Sequence, residues 1–580
     1  MNLASYFKSH SSSSQKAYEA LRSIFKDGLT TRQAALKANL SYGYLKNLRS
    51  ESEALLKEGK DPFFSKINKS EEKSSISDSI IQHVIDFRKK NLSIVDIKTK
   101  LEALDINRSL DFINKVLKSE GFEPLPRRTR QERAEGVLPG KIQSPRSSLI
   151  QMADERFTTL KGALPLVFLP LMEELGIIKA IEVAEFPGTS EISSTSYILS
   201  FLALKLIGSI RLSHDETWNL DRGLGLFAGL NVLPKSASLS SYSYRVTRES
   251  NKKFMQALAS IFIESDFESG EFNLDFHAIP HWGDLSVLEK HWNGSRGRVM
   301  KSALSLIVHD PNSSFLSYTD AELQREDQNN AILDFVDFWK DARGESPKML
   351  IFDSKLTDYE NLNKLNGDTP KIKFITLRRR GKRLVDQALA IPQDQWKKIK
   401  VERKGSSPRS VTVHDDHHCK LKGYAGEIRQ IIITDNGHEK PAFLITNDFD
   451  SSLEVIVRKY ARRWLIEQEI SEQISFFHLN QLSSSIVIKI DFDLTITLLA
   501  HNLYRMLAKR LTGFESCTVG TICRDFLENG ATVTIKNKTI EVALKKKSHL
   551  PLLLDLPCMK RATMLSWMGA TIKFKSGTSS

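Results

Sequence analysis

Residues 348–355 read KMLIFDSK, and the four apolar residues that run directly into Asp353 predict a buried strand that ends at an acid. Three segments before it have the alternating or apolar pattern of strands: 272–279, 302–309 and 315–318. Residues 329–342 have helical spacing. Three consecutive strands, a helix and a further strand indicate a mixed sheet flanked by helices. Asp275 lies in the first of these strands, in NLDFHAIPHWGD.

A third acid comes from residues 453–477, whose spacing predicts one long helix. Tyr460, Arg463 and Glu467 recur there at steps of three and four, so they share one face, and the arginine can orient the carboxylate or bind a phosphate. Residues 379–452 carry shorter strand patterns, SVTVH, IRQIIIT and PAFLITN, which predict a β-rich insertion before this helix.

The three acids Asp275, Asp353 and Glu467 are candidates for a metal-dependent site. Cleavage of a DNA phosphodiester needs a nucleophilic water and a stabilised leaving group, and two Mg²⁺ ions about 4 Å apart on carboxylate oxygens supply both. In strand joining, a DNA 3′-hydroxyl takes the place of the water. Among 70 Asp and Glu residues, however, spacing alone leaves ordinary surface charges as an alternative.

Composition restricts the class of partner. A chain of 580 residues exceeds one hydrophobic core and predicts several domains. The formal charge of +13 indicates a polyanion, either nucleic acid or an acidic membrane surface. Because no apolar run reaches the roughly 20 residues of a membrane span, nucleic acid is favoured. Four cysteines give no disulfide framework, and no secretory signal is seen, so a cytoplasmic location is expected.

The N-terminal region shows two patterns of three helices, at 17–49 and 76–119. Each is typical of a helix-turn-helix. The third helix of the first pattern would present four candidate DNA-binding side chains to a groove: Tyr44, Lys46, Asn47 and Arg49. A three-helix unit also occurs as a packing motif without a DNA role, but two in tandem on a basic chain favour DNA binding.

Two basic segments are further candidates for DNA contact. PLPRRTRQER contains Arg127, Arg128 and Arg130, and FITLRRRGKR contains Arg378, Arg379, Arg380, Lys382 and Arg383. A solvated charge run is the alternative for each. The second segment lies just after the strand predicted beside Asp353, which favours a phosphate contact near the acids.

Two histidine-containing groups are ambiguous. His277 lies two residues beyond Asp275, on the same side of the strand, and could hydrogen-bond a metal-binding carboxylate; a satisfied core histidine is the alternative. The segment VTVHDDHHC contains His414, His417, His418 and Cys419. It lacks a second pair of ligands at zinc spacing, so a polar turn between strands is predicted there.

From Phe157 to near the C-terminus, fragments of the chain resemble the DDE transposases of bacterial insertion sequences, in the large group related to insertion sequence four. The matching fragments are FAGLNVLPK, DFHAIPHWGD, DFWKDARGESPKMLIFDSKLTDYENL, FITLRRRGKR and YARRWLIE. The resemblance implies a ribonuclease-H-like catalytic fold. It places the first acid on the first strand, the second after the fourth strand, and the glutamate on a helix that follows a β-rich insertion.

The family's acids correspond to Asp275, Asp353 and Glu467, and the first two members of its Tyr-Arg-Glu-Lys signature to Tyr460 and Arg463. The fourth member differs, because Ile474 stands where the lysine is expected. The resemblance implies two Mg²⁺ ions, for which Mn²⁺ substitutes. It also implies terminal inverted repeats and target DNA as partners, a homodimer in a synaptic complex, and a cytoplasmic, nucleoid-associated location.

The sequence thus predicts a multidomain α+β DNA transposase. The alternatives are an inert or domesticated DNA-binding regulator and a two-metal nuclease that does not join strands. The predicted division is as follows: 1–58 helix-turn-helix, 59–75 linker, 76–125 second helix-turn-helix, 126–148 basic linker, 149–266 helical region, 267–378 with 453–512 catalytic domain, 379–452 β-rich insertion, and 513–580 C-terminal region.

Overall fold

The structure is a computed structural model that describes residues 13–58, 63, 73–89, 92–104, 106–122, 145–213, 218–264, 269–281, 288–293, 297–403, 406–435, 437, 439–481 and 486–577. The chain divides into two compact units, Met1–Ser79 and Ile80–Ser580. Three of the predicted DNA contacts, Arg127, Arg128 and Arg130, lie outside the described residues.

The first unit contains three helices close to the predicted positions. They are α1 (Ser13–Phe25), α2 (Thr31–Lys37) and α3 (Tyr42–Lys57). Thr30 begins α2 with a reciprocal capping box, and Ser41 caps α3. Ala34 and Leu45 are fully buried between the helices, so the apolar spacing read from the sequence does form a small core.

The second three-helix group is part of the larger unit. It comprises α4 (Lys73–Lys89), which begins before the boundary between the units, α5 (Ile94–Glu102) and α6 (Leu110–Ser119). Val84, Ile97 and Ile113 form its core, and Tyr244 and Ile486 from the rest of the unit pack against it. This group therefore shares apolar contacts with later parts of the chain.

A helical region follows. After β1 (Glu155–Thr159) it contains α7 (Ala163–Leu175), α8 (Ile177–Val183), α9 (Ser194–Leu206), α10 (Arg222–Phe227), α11 (Ser236–Tyr242) and α12 (Arg248–Glu264). The apolar runs at 163–172 and 197–204 form the buried helices α7 and α9.

The centre of the larger unit is a mixed sheet. Its first strands are β2 (Glu271–Pro280), β3 (Lys290–Asn293), β4 (Arg298–Asp310) and β5 (Phe315–Leu323), followed by α13 (Ala331–Arg343), β6 (Met349–Phe352), α14 (Tyr359–Gly367) and β7 (Lys373–Leu377). β4 is antiparallel to β2 and β5, whereas β6 is parallel to β2 and β7. All four residues of β6 are buried, as is typical of an inner parallel strand.

The β-rich insertion extends this same sheet. It contains α15 (Lys382–Leu389), β8 (Lys397–Arg403), β9 (Ser406–Lys420), β10 (Glu427–Thr434) and β11 (Ala442–Thr446). β11 pairs with β7, and the strand order runs β3-β4-β2-β6-β7-β11-β10-β9-β8 with β5 also on β4. The predicted turn at His414–Cys419 is wrong, because these residues lie within β9, where His414 and Asp415 pair with β10.

The rest of the larger unit encloses the sheet with helices and a second, smaller sheet. Its elements are α16 (Leu453–Ala461), α17 (Leu465–Ser475), α18 (Val487–Arg510), α19 (Val519–Ile522), β12 (Ala531–Lys536), β13 (Thr539–Leu544), α20 (Leu550–Leu554), α21 (Pro557–Lys560), β14 (Thr563–Leu565) and β15 (Ala570–Ser576). β1 joins the smaller sheet beside β12. Among the described helices, none combines the length and the apolar character needed to span a membrane.

Candidate active site

Two of the predicted acids lie at the same level of neighbouring parallel strands. Leu274 of β2 is paired with Phe352, the last residue of β6; Asp275 follows Leu274 inside β2, and Asp353 follows directly after β6. Neighbouring strands lie about 4.8 Å apart. The register thus brings together two acids separated by almost eighty positions in the chain.

One face of β2 points at the helices that carry the third acid. Because side chains alternate along a strand, the odd-numbered residues share this face. Glu271 contacts Lys459 Nζ at 2.5 Å, and Asn273 donates to the carbonyl of Arg462 at 3.4 Å. Asp275 Oδ2 lies 3.2 Å from Arg463 Nη1. This ladder of contacts fixes the helices against the strand at the level of Asp275.

Arg463 links the first acid to the third. Its Nη1 contacts Asp275 and its Nη2 lies 3.2 Å from Glu467 Oε1, while its guanidinium carbon is 5.7 Å from the centre of the Tyr460 ring. The sequence predicts one helix here, and that prediction is wrong: a 3-10 turn at Arg462–Trp464 separates α16 from α17. The shared face survives, because Arg463 still reaches both Tyr460 and Glu467.

The electrostatics of the site are those of crowded acids around one cation. Burial raises the pKa of Asp275, and although Arg463 opposes this shift, the negative charges of Asp353 and Glu467 add to it. Burial also raises the pKa of Tyr460 to about 12. For Arg463, burial is outweighed by Tyr460 and the three acids, so its pKa lies above the usual value. Burial, more than repulsion between the acids, therefore disfavours the charged form of Asp275.

This donor set suits a hard divalent cation. Three carboxylates offer only oxygen ligands, which Mg²⁺ prefers, and their mutual repulsion is relieved by added positive charge. Asp353 begins a short 3-10 turn, where its Oδ1 accepts from the amide of Ser354 at 2.6 Å. That bond holds the carboxylate at the strand end and leaves Oδ2 available to a ligand.

His277 has a partner other than an acid. Its Nε2 lies 2.9 Å from Asn480 Oδ1, and burial lowers the pKa of the imidazole. This geometry corresponds to the core-histidine alternative. At the position where the resemblance predicts a lysine, Ile474 packs against the main apolar core. The sequence did not mark Asn273 or Asn480 as residues of the site. The alternation of side chains along the predicted strand does, however, place Asn273 on the same face as Asp275.

The predicted basic contacts near the site fall into two groups. Arg378 donates to Gln430 at 2.7 Å and Arg380 donates to the carbonyl of Pro441 at 2.6 Å, so both guanidinium groups hold the sheet together. The other three side chains are exposed and form no side-chain hydrogen bond or ion pair with the described residues: Arg379, Lys382 and Arg383.

In the first unit, the predicted DNA-reading helix presents polar groups to solvent. Tyr44, Lys46 and Asn47 are exposed on α3. Arg49 pairs with Glu53 at 2.9 Å and stacks on the Phe25 ring at 5.0 Å. Three of the four side chains are thus accessible, while the fourth is held by its own unit.

Comparison with known proteins identifies no family. No protein-family model matches the chain, and no curated protein matches it. A cryo-EM structure of the piggyBac transposase in a synaptic complex with hairpin DNA is similar at 12% sequence identity, covering 60% of this chain and 78% of that one, with a TM-score of 0.30. A TM-score this low does not establish a shared fold.

Proposed function

We propose that this protein is a DNA transposase that cleaves and joins strands at the ends of an insertion sequence, with Asp275, Asp353 and Glu467 as its catalytic metal ligands. One observation carries the proposal. Asp275, inside β2, and Asp353, directly after β6, lie at matching positions of paired parallel strands, and Arg463 joins Asp275 to a glutamate on a helix almost two hundred residues later.

The order of elements supports a ribonuclease-H-like assignment of this sheet. β3 is a short hairpin strand on β4, and without it β6 is the fourth strand. Asp275 is then on the first strand, Asp353 follows the fourth, and Glu467 lies on a helix beyond the β-rich strands. This is the arrangement that the resemblance to insertion-sequence transposases implies.

The chain's own residues supply positioning and charge. Two Mg²⁺ ions, when bound, would activate the attacking hydroxyl and stabilise the leaving oxygen. Asp275 and Asp353 would supply oxygen ligands to these ions from adjacent strands, and Glu467 would complete the ligand set from α17. Arg463 keeps Asp275 and Glu467 near each other before metal and DNA arrive, and its guanidinium can then turn to a phosphate oxygen.

DNA binding is proposed for the exposed polar and basic groups already described. Tyr44, Lys46 and Asn47 on α3 would contact base edges or phosphates of the terminal inverted repeats. Arg379 and its two exposed neighbours, Lys382 and Arg383, would contact phosphates near the acids. A homodimer in a synaptic complex follows from the family resemblance.

The decisive experiment uses labelled DNA from the ends of the element with Mg²⁺. Asp353→Asn should bind this DNA with wild-type affinity and lose cleavage, because the neutral amide is a poor ligand for Mg²⁺. The matched control is Asp358→Asn, since Asp358 caps α14 by accepting from the amides of Glu360 and Asn361, a role that asparagine also fills.

The outcomes separate the proposed function from its alternatives. Wild-type cleavage by Asp353→Asn would contradict the assignment of the acids. Binding without cleavage by the wild-type protein would favour an inert regulator, an alternative to which Ile474 at the lysine position lends some support. Cleavage without strand joining to a target would favour a nuclease.

A further inference from the structure

A second group of potential ligands lies on another face of α17. Glu469 and Glu472 follow Glu467 by two and five residues, so at 3.6 residues per turn they point away from it. Together with His501 of α18 they bring one ligand atom each within 4.8 Å of one another. Both glutamate side chains are largely buried, at 13% and 12% exposure, and His501 is fully buried.

A buried histidine points into this group. His309 of β4 is fully buried, and neither ring nitrogen has a hydrogen-bond partner among the described residues. Its Nε2 lies 3.9 Å from Glu469 Oε1. Buried polar atoms are nearly always hydrogen-bonded, and an imidazole with neither nitrogen satisfied needs an explanation such as a missing ion.

We propose that Glu469, Glu472, His501 and His309 form a binding site for one divalent transition-metal ion of the Zn²⁺ class. His501 Nε2 lies 3.4 Å from Glu469 Oε2 but donates to the carbonyl of Ser314 at 3.0 Å, so its Nδ1 would bind the ion, in place of the present contact with Gln473 Nε2 at 2.8 Å. Glu472 Oε2 lies 3.8 Å from the Nδ1 of His501. Bonds of about 2.0–2.1 Å to a tetrahedral ion bring ligand atoms to roughly 3.3 Å, so Glu469, Glu472 and His501 need only short movements, and His309 would join them from the side of Glu469.

The ligand types select the metal. Two imidazoles and two carboxylates suit Zn²⁺ or a similar ion, whereas Mg²⁺ prefers an all-oxygen set such as that at Asp275. Imidazole binds such ions in its neutral form, and both rings are fully buried.

The neighbourhood leaves room for an ion to arrive. A cavity of about 540 Å³ reaches Glu469 and is lined also by Ser314, Arg462 and Arg505. The two arginines donate to backbone carbonyls, Arg462 to Pro311 at 2.7 Å and Arg505 to Cys517 at 2.6 Å. An ion bound here would join β4, α17 and α18, and would thereby steady the helix that carries Glu467.

The test measures metal content in the full-length protein, prepared without a polyhistidine tag. After treatment with a chelator and dialysis, the protein should bind one equivalent of added Zn²⁺ per chain, measured by elemental mass spectrometry. The bound Zn²⁺ should raise the Tm by several degrees. Co²⁺ should give the visible absorption bands of a tetrahedral nitrogen and oxygen site. An absence of Zn²⁺ binding and of any Tm change would overturn the proposal. The glutamates and histidines would then be held together by a shared proton and not by a metal ion.

Variants locate the ion. Glu469→Gln and Glu472→Gln, which keep side-chain volume, should each lose the Zn²⁺ equivalent and the Tm rise. Asp353→Asn should retain both, which separates this site from the proposed catalytic one even if the catalytic proposal fails. If the variant that carries both Glu469→Gln and Glu472→Gln still binds one Zn²⁺ per chain, the ion lies elsewhere and the proposal is contradicted. If the glutamine variants do not fold, the stoichiometry and Co²⁺ spectrum of the wild-type protein decide.

Discussion

At the scale of single residues, Arg463 is the group on which the candidate site depends. It is the cation that contacts both Asp275 and Glu467, each at 3.2 Å, and its side chain is only 15% exposed. A planar guanidinium can serve two carboxylates at once, whereas a lysine ammonium is a single point of charge. Its role therefore depends on geometry as much as on charge.

Arg463→Lys should reduce Mg²⁺-dependent DNA cleavage by about 10²-fold, in the range found when one electrostatic group is removed from an active site. DNA affinity should change far less, because the net charge is kept. Cleavage rates under single-turnover conditions and binding by fluorescence anisotropy measure the two effects. Equal losses in binding and cleavage would indicate that Arg463 acts only as a DNA anchor.

At this scale the sequence predicted the three candidate acids but not the partners of the buried histidines. The three acids were identifiable because each lies in a matching motif, and the structure brings Asp275 and Asp353 into register and Glu467 to Arg463. The partner of His277 was not predictable, because Asn480 lies 203 residues away and no local pattern relates the two. The same holds for His309, whose apolar strand gives no sign of its unsatisfied nitrogens.

At the scale of elements, α18 shows how the sheet and the helical region are joined. Asp491 is fully buried, and its carboxylate accepts from Arg248 and Asn251 at 2.7 Å each and from the amide of Ala321 at 3.1 Å. Burial raises the pKa of Asp491, against the opposing effect of Arg248. One side chain thus connects α12, β5 and α18.

Asp491→Ala should lower the free energy of unfolding by about 3 kcal/mol, because it leaves the buried donors of Asn251 and Ala321 without their acceptor and leaves Arg248 with Asp320, at 2.9 Å, as its remaining acid. The control lies on the same helix: Asp493 pairs with Lys205 at 2.7 Å but is 38% exposed. Asp493→Ala should cost less than about 1 kcal/mol. Urea denaturation measures both, and similar losses for the two variants would contradict the importance given to the buried network.

Element boundaries were predictable where local pattern decides them. The capped helices of the first unit and the strands β2, β4 and β6 lie close to their predicted positions. The break in the helix at Arg462 was not predictable, because no proline or glycine marks it. In the structure the carbonyl of Arg462 accepts from the amide of Leu465 in the 3-10 turn and also from Asn273 at 3.4 Å, a contact across 189 residues. Pairing with β10 likewise extends β9 through the predicted turn.

At the scale of the whole molecule, a formal charge of +13 should make DNA binding strongly dependent on salt. Only cations that reach phosphates contribute to this dependence. The structure separates the basic run after β7 into arginines that hold the sheet and exposed side chains available to DNA, a distinction that the sequence alone did not provide.

Replacing Arg379, Lys382 and Arg383 together with alanine should reduce the slope of log affinity against log salt by about 0.9 for each lost phosphate contact. The control is Lys573→Ala with Lys575→Ala, because both ammonium groups pair with Glu541 in the smaller sheet. Its slope should match that of the wild-type protein. Fluorescence anisotropy over a salt series gives both slopes, and an unchanged slope in the triple variant would remove these side chains from the DNA interface.

The most direct test of the central claim asks whether Asp353 itself contacts a catalytic metal. Asp353→Cys should lose DNA cleavage in Mg²⁺, which binds thiolates poorly, and should recover part of it in Mn²⁺, a softer ion. Asp353→Asn, measured in parallel, should be inactive in both. Recovery that is specific to the cysteine variant is the result this account predicts. Full activity of Asp353→Cys in Mg²⁺, or no difference between the two variants in Mn²⁺, would contradict it.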